Sequence, residues 1–194
     1  MMKETYLNIE NLSVGYQYPL SSEINLGLKA GEILYIQGTN GSGKTTLIKT
    51  ILGKVASLAG SYKWSIPLEA VSYLPQITNP NTNFSYTIGE ILDLYEVMDK
   101  DNELITTSLK KKRWIDASGG EKQKVMILTR LSKQTKVLIL DEPFNHLDIE
   151  SIKIVSDLLI KLSTVYGITI ILVSHHVIDI PENRLKTIEV KRHE

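Results

Sequence analysis

The sequence predicts an α/β fold with a mainly parallel sheet, a small antiparallel β side piece and a short helical lobe. Three observations predict it. The continuous apolar runs Ile33-Leu34-Tyr35-Ile36, Val137-Leu138-Ile139-Leu140 and residues 168–173 have the length of strands buried on both faces, as parallel strands are. Helical spacing and cap signals lie between these runs, and alternating strands and helices argue a parallel core covered by helices. Residues 6–14 and 24–28 instead alternate apolar with polar, the pattern of half-buried strands, before the turn Lys29-Ala30-Gly31.

The first buried strand, residues 33–37, runs into Gly38-Thr39-Asn40-Gly41-Ser42-Gly43-Lys44-Thr45, which fits G-x-x-x-x-G-K-[ST]. A helix follows from Thr46 and ends at Gly53. Strand, glycine loop and helix form the context of a phosphate-binding P-loop, so the core is read as a P-loop NTPase core. The glycines let backbone N–H groups turn inward, and the helix N-terminus adds partial positive charge at the same place. Lys44 then reaches the β- and γ-phosphates, and the Thr45 hydroxyl is a ligand for Mg²⁺.

Residues 60–64 and 71–74 read as short strands of the antiparallel side piece, and residues 78–83 as loop. Residues 87–97 have helical spacing, with Ile88, Ile91, Leu92 and Tyr95 on one side. Ser118-Gly119-Gly120-Glu121 is a capping box that starts a further helix. The span 79–131 is helix-rich and has no buried-strand run, so it is assigned to the helical lobe. Asp148 caps a long amphipathic helix ending near Tyr166-Gly167. Length and the absence of repeats make residues 1–194 one domain.

The second chemical element is Val137-Leu138-Ile139-Leu140-Asp141-Glu142, a Walker B arrangement of four apolar residues ending in two acids. Mg²⁺ is a hard cation that takes oxygen ligands. A rigid strand places Asp141 beside the P-loop to hold it, directly or through water, and Glu142 then polarises a water for in-line attack on the γ-phosphate.

Composition bounds the alternatives. The chain has 22 basic and 22 acidic residues, so its formal net charge of +0 supports no nucleic-acid-binding field. With 0 cysteines there is no disulfide, zinc–thiolate site or cysteine nucleophile. The start Met1-Met2-Lys3-Glu4-Thr5 leads into no signal-type apolar segment, and the apolar stretch 168–173 is far too short to span a bilayer. A soluble, cytoplasmic chain is expected, with any membrane spans supplied by other chains. The basic run Lys110-Lys111-Lys112-Arg113 reads as a solvated face, with a partner or lipid contact as the second reading.

The P-loop, Ser118-Gly119-Gly120-Glu121, Asp141-Glu142 and Leu172-Val173-Ser174-His175, in this order, resemble the nucleotide-binding subunits of ATP-binding cassette (ABC) proteins over nearly the whole chain. The resemblance makes Ser118–Glu121 the signature sequence, which meets the nucleotide held by a second subunit. Tyr73-Leu74-Pro75-Gln76 resembles the Q-loop, so Gln76 contacts Mg²⁺ or the attacking water. Pro143-Phe144-Asn145-His146-Leu147-Asp148 resembles the segment through the D-loop, with Asp148 as its acid. His175 becomes the γ-phosphate sensor, with His176 an adjacent competitor, and Tyr16 the platform for adenine, with Tyr18 as rival. Three positions depart from the family pattern: Ala117 replaces the signature's opening Leu, Glu121 its closing Gln, and His176 a common Asp.

The resemblance implies an ATPase with ATP and Mg²⁺ as cofactors, working as a homodimer or pseudo-homodimer of cassettes with ATP at the interface. It implies separate membrane-spanning transporter subunits as partners and a peripheral position on the inner face of the cell membrane. The alternative is a soluble ABC-family ATPase in translation or DNA maintenance, suggested by Asn145-His146-Leu147-Asp148 together with Glu121.

Overall fold

The computed structural model describes residues 4–76, 85–95, 97, 104–176 and 184–191. Its centre is a parallel sheet built from β3 (Ile33–Gln37), β5 (Val71–Leu74), β6 (Val137–Asp141), β7 (Thr169–Val173) and β8 (Leu185–Glu189), in the order β5-β6-β7-β3-β8. Every neighbouring pair is parallel. β6 and β7 are buried along their whole length, which is why they read as unbroken apolar runs. A second, antiparallel sheet has the order β2-β1-β4, from β1 (Thr5–Ser13), β2 (Ile24–Lys29) and β4 (Ala59–Trp64).

The side-chain period of two divides the parallel sheet between two cores. Leu34, Ile36, Ile139, Ile171 and Val173 pack with α1 (Lys44–Ile51) and the antiparallel sheet. Ile33, Tyr35, Leu138, Leu140 and Leu172 pack on the opposite side with α4 (Gly119–Leu128) and α5 (Ile149–Thr164). Buried residues of α2 (Ile88–Leu94) and α3 (Thr107–Lys111), among them Ile88, Leu92 and Leu109, belong to that second core. Removing a large aliphatic at such a position costs about 2–5 kcal/mol.

Capping sets the helix starts. Ser118 accepts from the Glu121 N–H while the Glu121 carboxylate accepts from the Ser118 N–H, the reciprocal pair the sequence predicts. Asp148 accepts from the Ser151 N–H at 2.8 Å and starts α5 as expected. Thr87 and Glu90 form a second capping box that the sequence reading did not single out.

Three assignments differ from the sequence reading. Val71–Leu74 is the edge strand of the parallel sheet, paired to β6, rather than part of the antiparallel piece. Only Leu74 of its residues is fully buried, so it lacks the apolar run that marks a central strand. β8, at the other edge, received no assignment because its Leu-Lys-Thr-Ile-Glu pattern carries charge on an exposed side. The helix read over 87–97 ends at Leu94, and Tyr95 becomes its C-cap with 54% exposure instead of joining the buried face. The basic run lies at the surface, as the sequence predicts, where Lys112 pairs with Glu121 at 2.7 Å and Arg113 with Asp116 at 2.7 Å. The loop read over 78–83 lies outside the described residues.

Candidate functional site

The C-terminal ends of three adjacent strands, β6, β7 and β3, open into one cleft of about 510 Å³. The crevice outside the carboxyl ends of a parallel sheet is where α/β folds bind ligands. β3 delivers Asn40, Gly41, Gly43, Lys44, Thr45 and Thr46, β6 delivers Asp141 and Glu142, and β7 delivers His175. Gln76, just beyond β5, also lines it. Gly38, Thr39, Asn40 and His175 also line an adjoining hollow.

The loop needs glycine at Gly38. Its φ is +151°, and a Cβ there would lie 2.5 Å from the Val190 carbonyl oxygen and 2.6 Å from Ser42 Oγ. Ser42 is fully buried beneath the loop, with its hydroxyl unpartnered. Lys44, 7% exposed, folds back along the loop and donates to the carbonyls of Gly38 at 2.7 Å and Thr39 at 3.0 Å. Its ammonium is therefore held where the loop curls.

Thr45 Oγ1 donates to Asp141 Oδ2 at 2.9 Å, and the Tyr73 hydroxyl donates to the same oxygen at 3.3 Å. Burial pushes the Asp141 carboxyl up, opposed by these two hydrogen bonds and by Lys44 and Lys49. Burial also pushes the Tyr73 phenol up, reinforced by the Asp141 charge, so Tyr73 stays a neutral donor.

Glu142 sits in a left-handed backbone conformation with φ +51°, and its N–H donates to the Val173 carbonyl at 2.8 Å. A non-glycine residue there costs about 1–3 kcal/mol and is held by its surroundings. Its Oε1 is 3.1 Å from His175 Nε2, whereas Oε2 is buried with no hydrogen-bond partner. Burial pushes the Glu142 carboxyl up, His175 and Lys44 pull it down, and Asp141 adds to the rise. His175 and His176 are thus distinguished. His176 turns its ring edge-on to Phe144, with centroids 6.1 Å apart.

Thr45 Oγ1, the Asp141 carboxylate and the Gln76 side chain are oxygen donors in one cleft, beside the orphaned Glu142 oxygen. That donor chemistry fits Mg²⁺, which takes oxygen ligands and leaves further positions to phosphate and water.

The remaining predicted residues line no part of this cleft. Ser118, Gly119, Gly120, Glu121 and Asp148 form a second group, joined through Ser151. Gly120 N–H donates to Ser151 Oγ at 3.0 Å, and Ser151 N–H donates to Asp148. A Cβ on Gly120 would lie 2.7 Å from Ser151 Cα, so this glycine lets α4 and α5 approach. Glu121 is occupied by Lys112 and the Ser118 N–H, leaving Ser118 and Gly119 exposed. Tyr16 is 63% exposed and Tyr18 78%, both in the turn after β1.

Sequence reasoning assigned no role to four residues found here. Leu20 and Asn145 line the cleft, Tyr73 bonds to Asp141, and Tyr35 bonds to the His176 carbonyl. Asn145 and Tyr73 stand inside strings already quoted for the resemblance. Leu20 and Tyr35 have no sequence signal, because only the fold brings them to the site.

A parallel sheet ending in a P-loop, a paired acid and a histidine defines a P-loop nucleotide-binding core. Residues 21–145 match the ABC transporter family model, and the chain belongs to this family of ABC transporter ATP-binding proteins. It is 32% identical over 179 residues to the zinc import ATP-binding protein ZnuC of Wigglesworthia glossinidia brevipalpis, covering 89% of this chain and 77% of that protein. It is 33% identical over 171 residues to the ABC transporter ATP-binding protein YfmM of Bacillus subtilis, covering 86% of this chain but 32% of the relative. Among solved structures, cbiO1 from Clostridium perfringens, part of the ABC transporter complex cbiONQ, superposes with a TM-score of 0.75 at 25% identity, covering 98% of this chain and 88% of that one.

Proposed function

We propose that this chain hydrolyses ATP, as a single cassette of residues 1–194 with a helical lobe at about 79–131, and that hydrolysis energises transport through membrane-spanning subunits on other chains. The observation that carries the reading is Glu142: its buried, unpartnered Oε2 belongs to the cleft shared with Lys44, Thr45, Asp141 and His175. Lys44 and the loop N–H groups hold the phosphates, Thr45, Asp141 and Gln76 hold Mg²⁺, and Tyr16 stacks on adenine. Bound Mg²⁺ supplies charge neutralisation on the phosphates. Glu142 positions the attacking water and takes its proton, and His175 contacts the γ-phosphate. Ser118, Gly119, Gly120, Glu121 and Asp148, outside the cleft, complete the site of a second cassette across a head-to-tail dimer. ATP closes the dimer, and hydrolysis reopens it.

The test is Glu142→Gln. It should keep Mg-ATP affinity and lose turnover by about 10²–10⁴, the contribution of a positioned base. Turnover at the wild-type rate would refute the assignment.

The similarity to cbiO1, part of the ABC transporter complex cbiONQ, supports assembly with other chains, and a peripheral place at the inner face of the membrane goes with that reading. One observation favours the soluble alternative: the Asn145-His146-Leu147-Asp148 string together with Glu121 in the signature position. Co-purification with ribosomes rather than with a detergent-solubilised membrane protein would select that alternative.

A further inference from the structure

Tyr35 is 5% exposed in the middle of β3, level with Leu172 of β7 and Thr187 of β8. Its ring stands on the helical side of the sheet among aliphatic neighbours, a position where an aliphatic side chain would fill the space without a polar atom to satisfy. The hydroxyl donates to the His176 carbonyl at 2.5 Å. The same residue is held from its other side, because His176 N–H donates to Ser174 Oγ at 2.9 Å and Ser174 is 1% exposed. Phe144 closes on the His176 ring as a third restraint. The preceding side chain, His175, is half exposed and reaches Glu142 at 3.1 Å from this fixed turn.

We infer that Tyr35 is a positioning residue for the reaction proposed above, its hydroxyl holding the turn 174–176 so that the His175 imidazole faces Glu142. The inference rests on the hydrolytic reading of the cleft. Three residues along the chain from the hydroxyl's own strand position the phosphate loop begins, at Gly38, so Tyr35 joins the strand that carries that loop to the turn that carries His175. Burial pushes the Tyr35 phenol up, opposed by hydrogen bonds with Ser174 and Gln37 and reinforced by Glu142, so it remains a donor at neutral pH.

The experiment is Tyr35→Phe, which keeps the ring and deletes the donor. At saturating Mg-ATP, turnover should fall about three- to tenfold, the worth of one hydrogen bond. Mg-ATP affinity should stay within about twofold, the split expected of a residue that acts only on the chemical step. In a His175→Ala background, Tyr35→Phe should cost nothing further, since both act through one group. In the nucleotide-free protein, the His176 amide should exchange with solvent faster than in wild type. Ser174→Ala, which removes the other tie, should reproduce the pattern. Wild-type turnover in Tyr35→Phe, an independent loss in the His175→Ala background, or unchanged exchange at His176 would each overturn the assignment. If His175→Ala alone leaves turnover intact, the hydrolytic reading fails instead, and the exchange measurement still decides whether Tyr35 holds the turn.

Discussion

At the residue scale, the cleft concentrates charge where water is scarce. Asp141 is 3% exposed and its carboxyl is raised by burial. A raised carboxyl means that the folded protein keeps a proton the unfolded chain has released. Stability from this group therefore falls as pH rises, from the ordinary carboxylate value of about 4 up to the raised folded value. Asp141→Asn keeps an acceptor for Thr45 and removes the buried charge. It should raise the denaturation midpoint at pH 7 and flatten the pH dependence below it, while abolishing Mg²⁺-dependent tightening of ATP binding. A lower midpoint at pH 7 would show that the ionised carboxylate stabilises the fold. Lys44→Ala should behave differently: a folded protein with weakened nucleotide affinity and no turnover. Calorimetry showing wild-type affinity would remove Lys44 from the phosphate site.

The residues that were legible in the sequence are those whose chemistry depends on local spacing. The loop Gly38 to Thr45 carries its geometry in eight consecutive positions, and Asp141-Glu142 follow directly from a buried strand. Tyr35 and Leu20 were not legible, because their roles arise from contacts 141 residues away in sequence or across the mouth of a cleft.

At the element scale, the central strands were readable because burial on both faces leaves an unbroken apolar run, as in Val137–Asp141 and Thr169–Val173. The edge strand β5 was read as a strand but placed in the wrong sheet, since its half-exposed residues make no continuous apolar run, and β8 was not read, since Lys186 and Glu189 break its apolar pattern. The junction of α4 and α5 makes its own prediction. A Cβ on Gly120 would lie 2.7 Å from Ser151 Cα, too close for contact, so the two helices meet with almost no space between their backbones. Gly120→Ala should push α4 away and destabilise the fold by about 1–3 kcal/mol, the usual cost of overpacking. The thermal midpoint should fall by about 2–4 °C for each kcal/mol in a chain of this size. An unchanged midpoint would mean that α4 shifts freely, and that the position of Ser118 is not fixed by its contact with α5.

At the scale of the whole molecule, the two groups of predicted residues occupy different places. The P-loop, Asp141, Glu142 and His175 share one cleft, whereas Ser118 and Gly119 stand exposed at the start of α4 and Asp148 at the start of α5. Among the described residues no helix is long and apolar enough to cross a membrane. Expressed with its cognate membrane protein, the chain should co-purify in detergent, and recovery of the two apart would contradict the transporter assignment. The exposed Ser118 end is accounted for if a second cassette brings its nucleotide there. The direct test is the mass in solution of Glu142→Gln with Mg-ATP, where closure is not undone by hydrolysis. The account predicts a dimer of the 21.8 kDa chain that forms with ATP and is lost when Ser118→Arg is added, with monomer affinity for ATP retained. A Glu142→Gln protein that stays monomeric while saturated with Mg-ATP would contradict it.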